Sequence, residues 1–295
     1  MRNIFKTTSV ILLATIAISS CGDKERQIET VNKTDKINSQ VKSNDVAYDP
    51  GEEWKLEWAD EFDTEMIDTN NWNFQIEEAG RFNDEWQRYT NSSENAYVEN
   101  GNLVIQANHV SDEHGMDQYT SARLNTANKQ SWTYGKIAAR IKLPQGNGIW
   151  PAFWLLGANI DENGGDTPWP QTGEVDILEL YGSKDDAVVE ANMHYADASG
   201  SHAMMGAASY KLEDGIFADS FHVFELEWDS KKIAWIVDGH QYASTSIEED
   251  DRSEFHKDFF ILLNVAVGGS HAGRPDSTTN FPQKMYVDWV RVYKK

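Results

Sequence analysis

The chain has 295 residues, of which 40% are hydrophobic and 12% aromatic, so it is long enough to enclose a large core within one domain. Its formal net charge is −22, from 48 acidic and 26 basic residues. Because contacts to phosphate groups need clustered Lys and Arg, this charge argues against binding to nucleic acid or to an anionic membrane surface. Solubility alone would also account for the acidity, and the charge does not argue against binding of an uncharged ligand.

The first twenty residues have the pattern of a secretory signal peptide. Arg2 and Lys6 precede an apolar run over residues 10–18 that is too short to span a bilayer. The sequence ISSC at residues 18–21 resembles a bacterial lipobox, in which cleavage precedes a cysteine that is then lipidated. Cys21 is the only cysteine, so no intramolecular disulfide can form, and an incidental thiol is the alternative. We therefore expect a lipoprotein signal peptide over residues 1–20 and lipidation at Cys21.

Residues 21–50 are predicted to carry the lipid and to form a flexible linker, since they are polar with few large apolar groups. The charged residues directly after Cys21 resemble the surface-export signals of some outer-membrane lipoproteins. We expect a monomer that contacts a membrane only through its lipid, anchored to the outer membrane of a Gram-negative bacterium. The leaflet is left open, with surface exposure as one option.

From Gly51 onward, short runs of alternating apolar and polar residues predict one all-β domain over residues 51–295. An Asp238-Gly239 turn predicts a tight hairpin, and residues 158–171 are predicted to form a long loop. Many short strands separated by turns are typical of a sandwich or a barrel. The predicted strands cover residues 103–107, 136–143, 221–228, 232–237, 240–242, 259–267 and 286–293.

The segment GEVDILEL at residues 173–180 places three carboxylates within six residues of an otherwise apolar, strand-like run. Since side chains alternate along a strand, Glu174 and Asp176 share one face, and regular alternation would bury Glu179. Burying an ionised carboxylate without a partner is very costly. We therefore predict a β-bulge near Ile177 and Leu178, whose extra residue returns Glu179 to the acidic face.

Carboxylates crowded in this way suit glycoside hydrolysis. Retaining glycosidases need two carboxyl groups about 5–5.5 Å apart, one as nucleophile and one as acid and then base. Neighbouring negative charges raise the pKa of the acid so that it stays protonated near neutral pH, and Asp176 would supply charge and a hydrogen bond. A solvated acidic edge strand and a calcium site are the alternatives. An exposed edge would not need the apolar neighbours, and calcium ligands usually come from loops.

The hexapeptide EVDILE is similar to the signature of family 16 glycoside hydrolases in its bulge-containing form, Glu-x-Asp-x-x-Glu. The resemblance covers nearly all of residues 51–295 and implies a jelly-roll β-sandwich of two antiparallel sheets with a concave substrate cleft. Flanking segments resemble the bacterial laminarinases of that family, which are endo-1,3-β-glucanases: YTSARL at 119–124, GNGIWPAFWLLG at 146–157, WPQTG at 169–173, NVAVGG at 264–269 and DWVRV at 288–292.

The resemblance implies a retaining, double-displacement hydrolysis of 1,3-β-glucan such as laminarin, and it leaves mixed-linkage β-glucan open. Glu174 matches the nucleophile that forms the glycosyl-enzyme intermediate. Glu179 matches the acid that protonates the leaving oxygen and then the base that activates water. Asp176 matches the helper that orients the nucleophile. No cofactor is implied for catalysis.

Flat tryptophan rings can stack on the apolar faces of sugars, and the chain has 11 tryptophans. Trp150 and Trp154 match family positions that contact sugar, with core packing as the alternative, and Trp86 in a polar segment is a further candidate. Five others in strand-like runs are predicted to belong to the core: Trp58, Trp72, Trp228, Trp235 and Trp289.

Three polar residues are also implied to bind substrate. Asn83 and Arg123 match family positions that bond the sugar. His194 resembles a histidine near the acid/base, with a structural histidine as the alternative. The eight histidines of the chain show no zinc-type spacing along the sequence.

Many members of the family hold a structural calcium on the convex face. The matching positions are Glu61, the backbone of Gly101, and Asp288. A calcium there would stabilise the fold rather than take part in chemistry. Asp288 could equally cap a strand edge.

Two other functions stay open. One is a hydrolase of another polysaccharide on the same fold, such as agarose, porphyran or carrageenan; sulfated substrates favour a basic cleft, and no basic cluster lies near the acidic motif. The other is a non-catalytic surface glucan-binding lipoprotein that passes oligosaccharides to a transporter. Binding relatives on this fold lack the catalytic glutamates, whereas this chain has all three carboxylates.

Overall fold

The computed structural model describes residues 47–111 and 117–295. The predicted signal peptide, Cys21 and most of the predicted linker lie outside the described residues. The described part includes one compact unit, Pro50–Lys295. No helix within that part is long and apolar enough to cross a membrane.

Seventeen strands, two 3-10 helices and one short α-helix occur in the described residues. The first nine strands are β1 Lys55–Asp60, β2 Asn73–Phe74, β3 Gln87–Tyr89, β4 Ala96–Glu99, β5 Asn102–Ser111, β6 Asp117–Ser121, β7 Arg123–Asn125, β8 Gly135–Lys142 and β9 Ile149–Gly157. The other eight are β10 Glu174–Glu179, β11 Val188–Ala196, β12 His202–Lys211, β13 His222–Trp228, β14 Lys232–Val237, β15 His240–Ser246, β16 Phe259–Val267 and β17 Gln283–Lys294. The 3-10 helices are Asp161–Asn163 and Asp250–His256, and α1 is Gly269–Ala272.

The strands form two sheets. The larger has the order β15-β14-β13-β8-β17-β5-β6-β3, with β1 also paired to β17 and β4 to β5. The smaller has the order β12-β11-β10-β9-β16-β7-β2. The pairing of β3 with β6 is parallel, whereas β8 and β10 are each antiparallel to both of their neighbouring strands. The predicted all-β sandwich is confirmed.

The central strands of the smaller sheet are apolar on both faces. In β16, Ile261, Leu263 and Val265 pack into the main core, which contains residues of both sheets. Phe260 and Leu262 lie on the opposite face, in a second apolar cluster with side chains of β9. A strand covered on both faces has a continuous apolar sequence rather than an alternating one. The second face of this sheet is the one that carries the candidate site.

The predicted core tryptophans are buried in four of five cases. Trp72, Trp228, Trp235 and Trp289 are at most 5% exposed, which confirms their prediction. Trp58 is half-buried and packs against the main core, with its ring 6.2 Å from that of Trp72. Its position on β1, at the side of β17, explains the remaining exposure.

Lys136 is a buried basic residue at the start of β8. Its Nζ lies 3.0 Å from Glu227 Oε1 and 3.5 Å from Glu225 Oε2. Its position on β8, between β13 and β17, leaves little room for solvent. Burial of a Lys requires paired charges, and the alternating pattern of β8 alone gave no sign of them.

Candidate active site

β10 contains an irregularity at the predicted position. Asp176 and Leu178 pair with consecutive residues of β9, which leaves Ile177 as the extra residue. On the β11 side the register shifts in the same place, between Asp176 and Glu179. The predicted β-bulge is therefore confirmed.

The bulge sorts the side chains of β10 into two groups. Val175, Ile177 and Leu178 all enter the main core. The three carboxylates, Glu174, Asp176 and Glu179, line one cavity of about 710 Å³ on the other face of the sheet. In a regular strand of the same length, Leu178 would face the cavity and Glu179 would face the core.

Glu179 is held at both oxygens. Trp150 Nε1 donates to Oε1 at 2.9 Å, and Asn192 Nδ2 donates to Oε2 at 3.0 Å. Tyr181, whose ring lies 5.2 Å from that of Trp150, also hydrogen-bonds Glu179. Burial and the charge of Glu179 raise the pKa of Tyr181 well above its ordinary value, so it remains a neutral hydroxyl. The donors come from β9, β11 and the segment after β10, and they fix the orientation of the carboxyl group.

Glu174 has a different set of partners. Trp169 Nε1 donates to Oε2 at 3.0 Å, and His194 Nε2 lies 3.8 Å from Oε1. The same His194 nitrogen lies 3.3 Å from Asp176 Oδ2. His194 Nδ1 is 2.9 Å from Nε2 of His202 on the neighbouring strand β12. A chain of polar contacts therefore leads from the sheet edge to two of the carboxylates.

Burial and mutual repulsion shift the pKa values of the acidic residues. Burial, and then the charge of Asp176, raise the pKa of Glu174 to about 8, although His194 and Arg123 act in the opposite direction. Burial, and then the charge of Glu179, raise the pKa of Asp176 well above its ordinary value. The carboxyl groups therefore retain a proton at neutral pH. Because they interact strongly, that proton belongs to the cluster rather than to one residue.

Aromatic and polar side chains form the cavity wall beside the carboxylates. The guanidinium of Arg123 lies between the rings of Phe82 and Trp154, at 4.5 and 4.7 Å from their centroids. Arg123 Nε donates to Gln75, and Trp154 Nε1 donates to Asn264 Oδ1 at 2.8 Å. These contacts fix the side chains of the cavity wall in place, and Trp154 itself is largely buried.

Five of the six predicted substrate-binding residues line this cavity: Asn83, Arg123, Trp150, Trp154 and His194. Asn83 has a φ of 48° and donates from Nδ2 to Glu85 Oε1 at 3.3 Å. Trp86 lies elsewhere, in a smaller neighbouring pocket with Tyr119. The backbone turns between these two residues, since Asp84 also has a positive φ, so the indole projects away from the main cavity.

Four residues at the site were missed from the sequence: Trp169, Tyr181, Asn192 and His202. Asn192 stands two residues before His194, so the period of a strand could have placed both on one face. Trp169 and His202 depend on loop paths and strand pairing that a local pattern does not contain.

The predicted calcium ligands lie on the larger sheet. Asp288 lies on β17 and Glu61 follows β1, which pairs with it, while Gly101 lies in the turn between β4 and β5. Arg291 binds both oxygens of Glu61 at 2.7 and 2.8 Å, and Arg140 binds Asp288 at 2.9 Å. The donors are hard oxygens, as calcium prefers, but guanidinium groups already contact both carboxylates.

Residues 82–291 match the sequence model of the family described as glycosyl hydrolases family 16. The chain belongs to glycosyl hydrolase family 16. The laminarinase catalytic domain from Thermotoga maritima is 44% identical to this family 16 chain, with a TM-score of 0.71 over 83% of this chain and 99% of that domain. The shared architecture confirms the predicted jelly-roll sandwich.

Two curated relatives of this family 16 hydrolase are also similar over most of its length. The beta-glucanase of Rhodothermus marinus is 36% identical, over 83% of this chain and 87% of that protein. The glucan endo-1,3-beta-glucosidase A1 of Niallia circulans is 33% identical, over 81% of this chain. The chain spans only 34% of the length of the clotting factor G alpha subunit of Tachypleus tridentatus and 38% of the length of the Niallia protein. Family 16 hydrolysis needs no catalytic cofactor, because carboxyl groups carry out both steps.

Proposed function

We propose that this family 16 hydrolase cleaves internal bonds of a neutral 1,3-β-glucan of the laminarin type, with retention at the anomeric carbon. The observation that carries the proposal is the bulge at Ile177, which brings Glu174, Asp176 and Glu179 into one cavity. Similarity to a laminarinase domain and to a beta-glucanase over more than four fifths of the chain supports the substrate class.

The two glutamates act together in each of two successive steps. Glu174 attacks the anomeric carbon and forms a glycosyl ester, while Glu179 gives its proton to the departing glycosidic oxygen. Glu179 then takes a proton from water, the water oxygen bonds to the anomeric carbon, and the ester to Glu174 breaks. Trp169 orients the nucleophile, and Trp150 with Asn192 holds the acid/base. Asp176 lies beside both glutamates in the same cavity.

Azide rescue distinguishes the two roles. With an activated aryl β-glucoside substrate, we expect Glu174→Ala to be inactive until azide is added and then to form the α-glycosyl azide. We expect Glu179→Ala to cleave laminarin about 10²- to 10⁴-fold more slowly than the parent. With azide it should form the β-glycosyl azide, because the ester intermediate still forms. Glu213→Gln, which changes an exposed carboxylate outside the cavity, serves as control. Cleavage that survives in Glu174→Ala would show that the assigned mechanism is wrong.

The charge of the cavity separates neutral from sulfated substrates. Two of its lining cations are already paired, Arg81 with Glu162 and Lys184 with Glu190, each at 2.7 Å. Three further carboxylates are crowded on β10, so the cavity is acidic and repels sulfate esters. We expect cleavage of laminarin, with lichenan testing mixed linkages, and none of carrageenan. Activity on agarose alone would support the other hydrolase, and binding without cleavage of any of them would support the glucan-binding lipoprotein.

We further infer a lipid anchor at Cys21 and attachment to the outer membrane of a Gram-negative bacterium. The lipobox-like sequence at residues 18–21 and the polar segment after it support this. Growth with a labelled fatty acid tests the anchor. We expect label in the parent chain but not in Cys21→Ser, and labelling of both would contradict the anchor.

A structural calcium at Glu61, Gly101 and Asp288 is the remaining part of the proposal. Two carboxylates and a carbonyl are suitable donors, and because they lie on or beside strands of the larger sheet, we infer a role for the ion in stability alone. Because Arg291 occupies both oxygens of Glu61, calcium must displace part of that ion pair, and we expect weak binding.

A further inference from the structure

Three donor atoms on neighbouring strands are spaced like ligands of one metal ion. His194 Nε2 lies 3.3 Å from Asp176 Oδ2 and 3.8 Å from Glu174 Oε1, and one donor atom of each residue lies within 4.8 Å of the other two. Zinc binds imidazole nitrogen and carboxylate oxygen at about 2.0–2.2 Å, so neighbouring ligands of a tetrahedral ion are about 3.3–3.6 Å apart. The observed separations need only small adjustments.

One of these atoms lacks a hydrogen-bond partner. Asp176 Oδ2 is buried and accepts no hydrogen bond, since its contact with His194 Nε2 lacks hydrogen-bond geometry. Buried polar oxygens normally have a hydrogen-bond partner or bind a metal. Two electron-pair donors that face each other without a proton in line between them are arranged to bind a cation.

The surrounding contacts resemble the outer shell of a metal site. His194 Nδ1 is 2.9 Å from His202 Nε2, so His202 can fix the tautomer that leaves Nε2 free for a ligand bond. Trp169 Nε1 holds Glu174 Oε2, and its ring packs 4.6 Å from that of His202. A mixed nitrogen and oxygen donor set suits zinc and its neighbours in the periodic table rather than magnesium or calcium.

We propose that Glu174, Asp176 and His194 form a binding site for a divalent transition-metal ion of the zinc class, and that this ion blocks hydrolysis. The ion would engage the nucleophile and its neighbour, so metal and glucan exclude each other. The fourth position faces the cavity and is open to water. Binding of the metal is independent of the proposed function, whereas the inhibition rests on it.

Calorimetry with zinc chloride tests the site on metal-free protein in a Cys21→Ser background, which removes the only thiol. We expect one zinc ion per chain, and no saturable binding with magnesium chloride. His194→Gln should abolish binding, and His202→Phe should weaken it about 10- to 100-fold through loss of the outer-shell contact. His240→Gln changes an exposed histidine outside the cavity and should bind zinc as the parent does. Melting curves confirm that each variant is folded.

Laminari-oligosaccharides should compete with zinc, and zinc should inhibit laminarin hydrolysis over the same concentration range in which it binds. Unchanged zinc affinity in His194→Gln and His202→Phe would overturn the site, as would the absence of binding to the parent. Zinc binding by a chain that cleaves no glucan would support the site while contradicting the proposed function. Glucan cleavage without zinc binding would support the proposed function and contradict the metal site.

Discussion

Glu174 is a residue at which the chemistry of the site opposes stability. Burial, and then the charges of Asp176 and Glu179, raise the pKa of its carboxyl group from 4.5 to about 8 on folding. Between these values the folded chain binds a proton that the unfolded chain has released. Folding therefore becomes less favourable as the pH rises from about 4.5 to 8, and below 4.5 the penalty is absent.

Replacing this carboxyl by an amide should remove the penalty. We expect Glu174→Gln, although inactive, to melt at least about 3 °C above the parent at pH 9, since 1 kcal/mol corresponds to about 2–4 °C for a domain of this size. Near pH 4 the two melting temperatures should coincide. Scanning calorimetry in EDTA measures the difference, with Glu213→Gln as control. A difference that does not vary with pH would contradict the assignment.

At the scale of a single element, the number of residues in β10 decides which side chains reach the cavity. Ile177 adds one residue relative to β9, so Leu178 packs in the core and Glu179 lines the cavity. This feature could be predicted from the sequence because the alternative, a carboxylate inside an apolar core, is so costly. The partners of Glu179 could not, since Trp150 and Asn192 come from two other strands.

Deleting Ile177 should restore regular alternation while Glu174, Asp176 and Glu179 stay on the cavity face, because Leu178 then takes the single core position between Asp176 and Glu179. We expect the deletion variant still to hydrolyse laminarin but to melt at a lower temperature, because the core loses one buried aliphatic side chain. Ile177→Val keeps the residue count and should cost only about 0.5–1.5 kcal/mol of stability, with activity retained. Steady-state rates and urea unfolding compare the two variants. A folded deletion variant that no longer cleaves laminarin would contradict this expectation and show that the bulge itself is needed.

On the scale of the whole molecule, sequence patterns predicted the fold class and the strands β5, β8 and β13 to β17, because burial of a face is a local property. They did not give ranges for β9, β11 or β12, which have nine or ten residues each, nor for β2, β3 or β7, which have only two or three and depend on neighbours for their pairing. The neighbours of β8 are β13 and β17, far along the chain, so the ion pairs of Lys136 could not be inferred. Nor could the placement of Trp86, which is set by two consecutive residues with positive φ.

Calcium at Glu61, Gly101 and Asp288 would join three separate segments of the larger sheet. We expect 10 mM calcium chloride to raise the melting temperature by a few degrees, since an ion that binds only the folded chain stabilises it by mass action. The same concentration of magnesium chloride should have little effect, and Asp288→Asn should remove the response. Equal responses to both salts would indicate ionic strength alone and contradict the site.

The bulge in β10 also limits how such a gene can change over generations. Point substitutions among aliphatic letters at positions 177 and 178 preserve the spacing that aims the two glutamates. The gain or loss of one codon there changes that spacing: the loss leaves a regular strand with Glu179 on the cavity face but one residue nearer to Glu174, and the gain moves it one residue farther away. Length variation should instead be tolerated in exposed segments between strands, such as residues 213–215 between β12 and β13, where an added codon leaves the register of the paired strands intact.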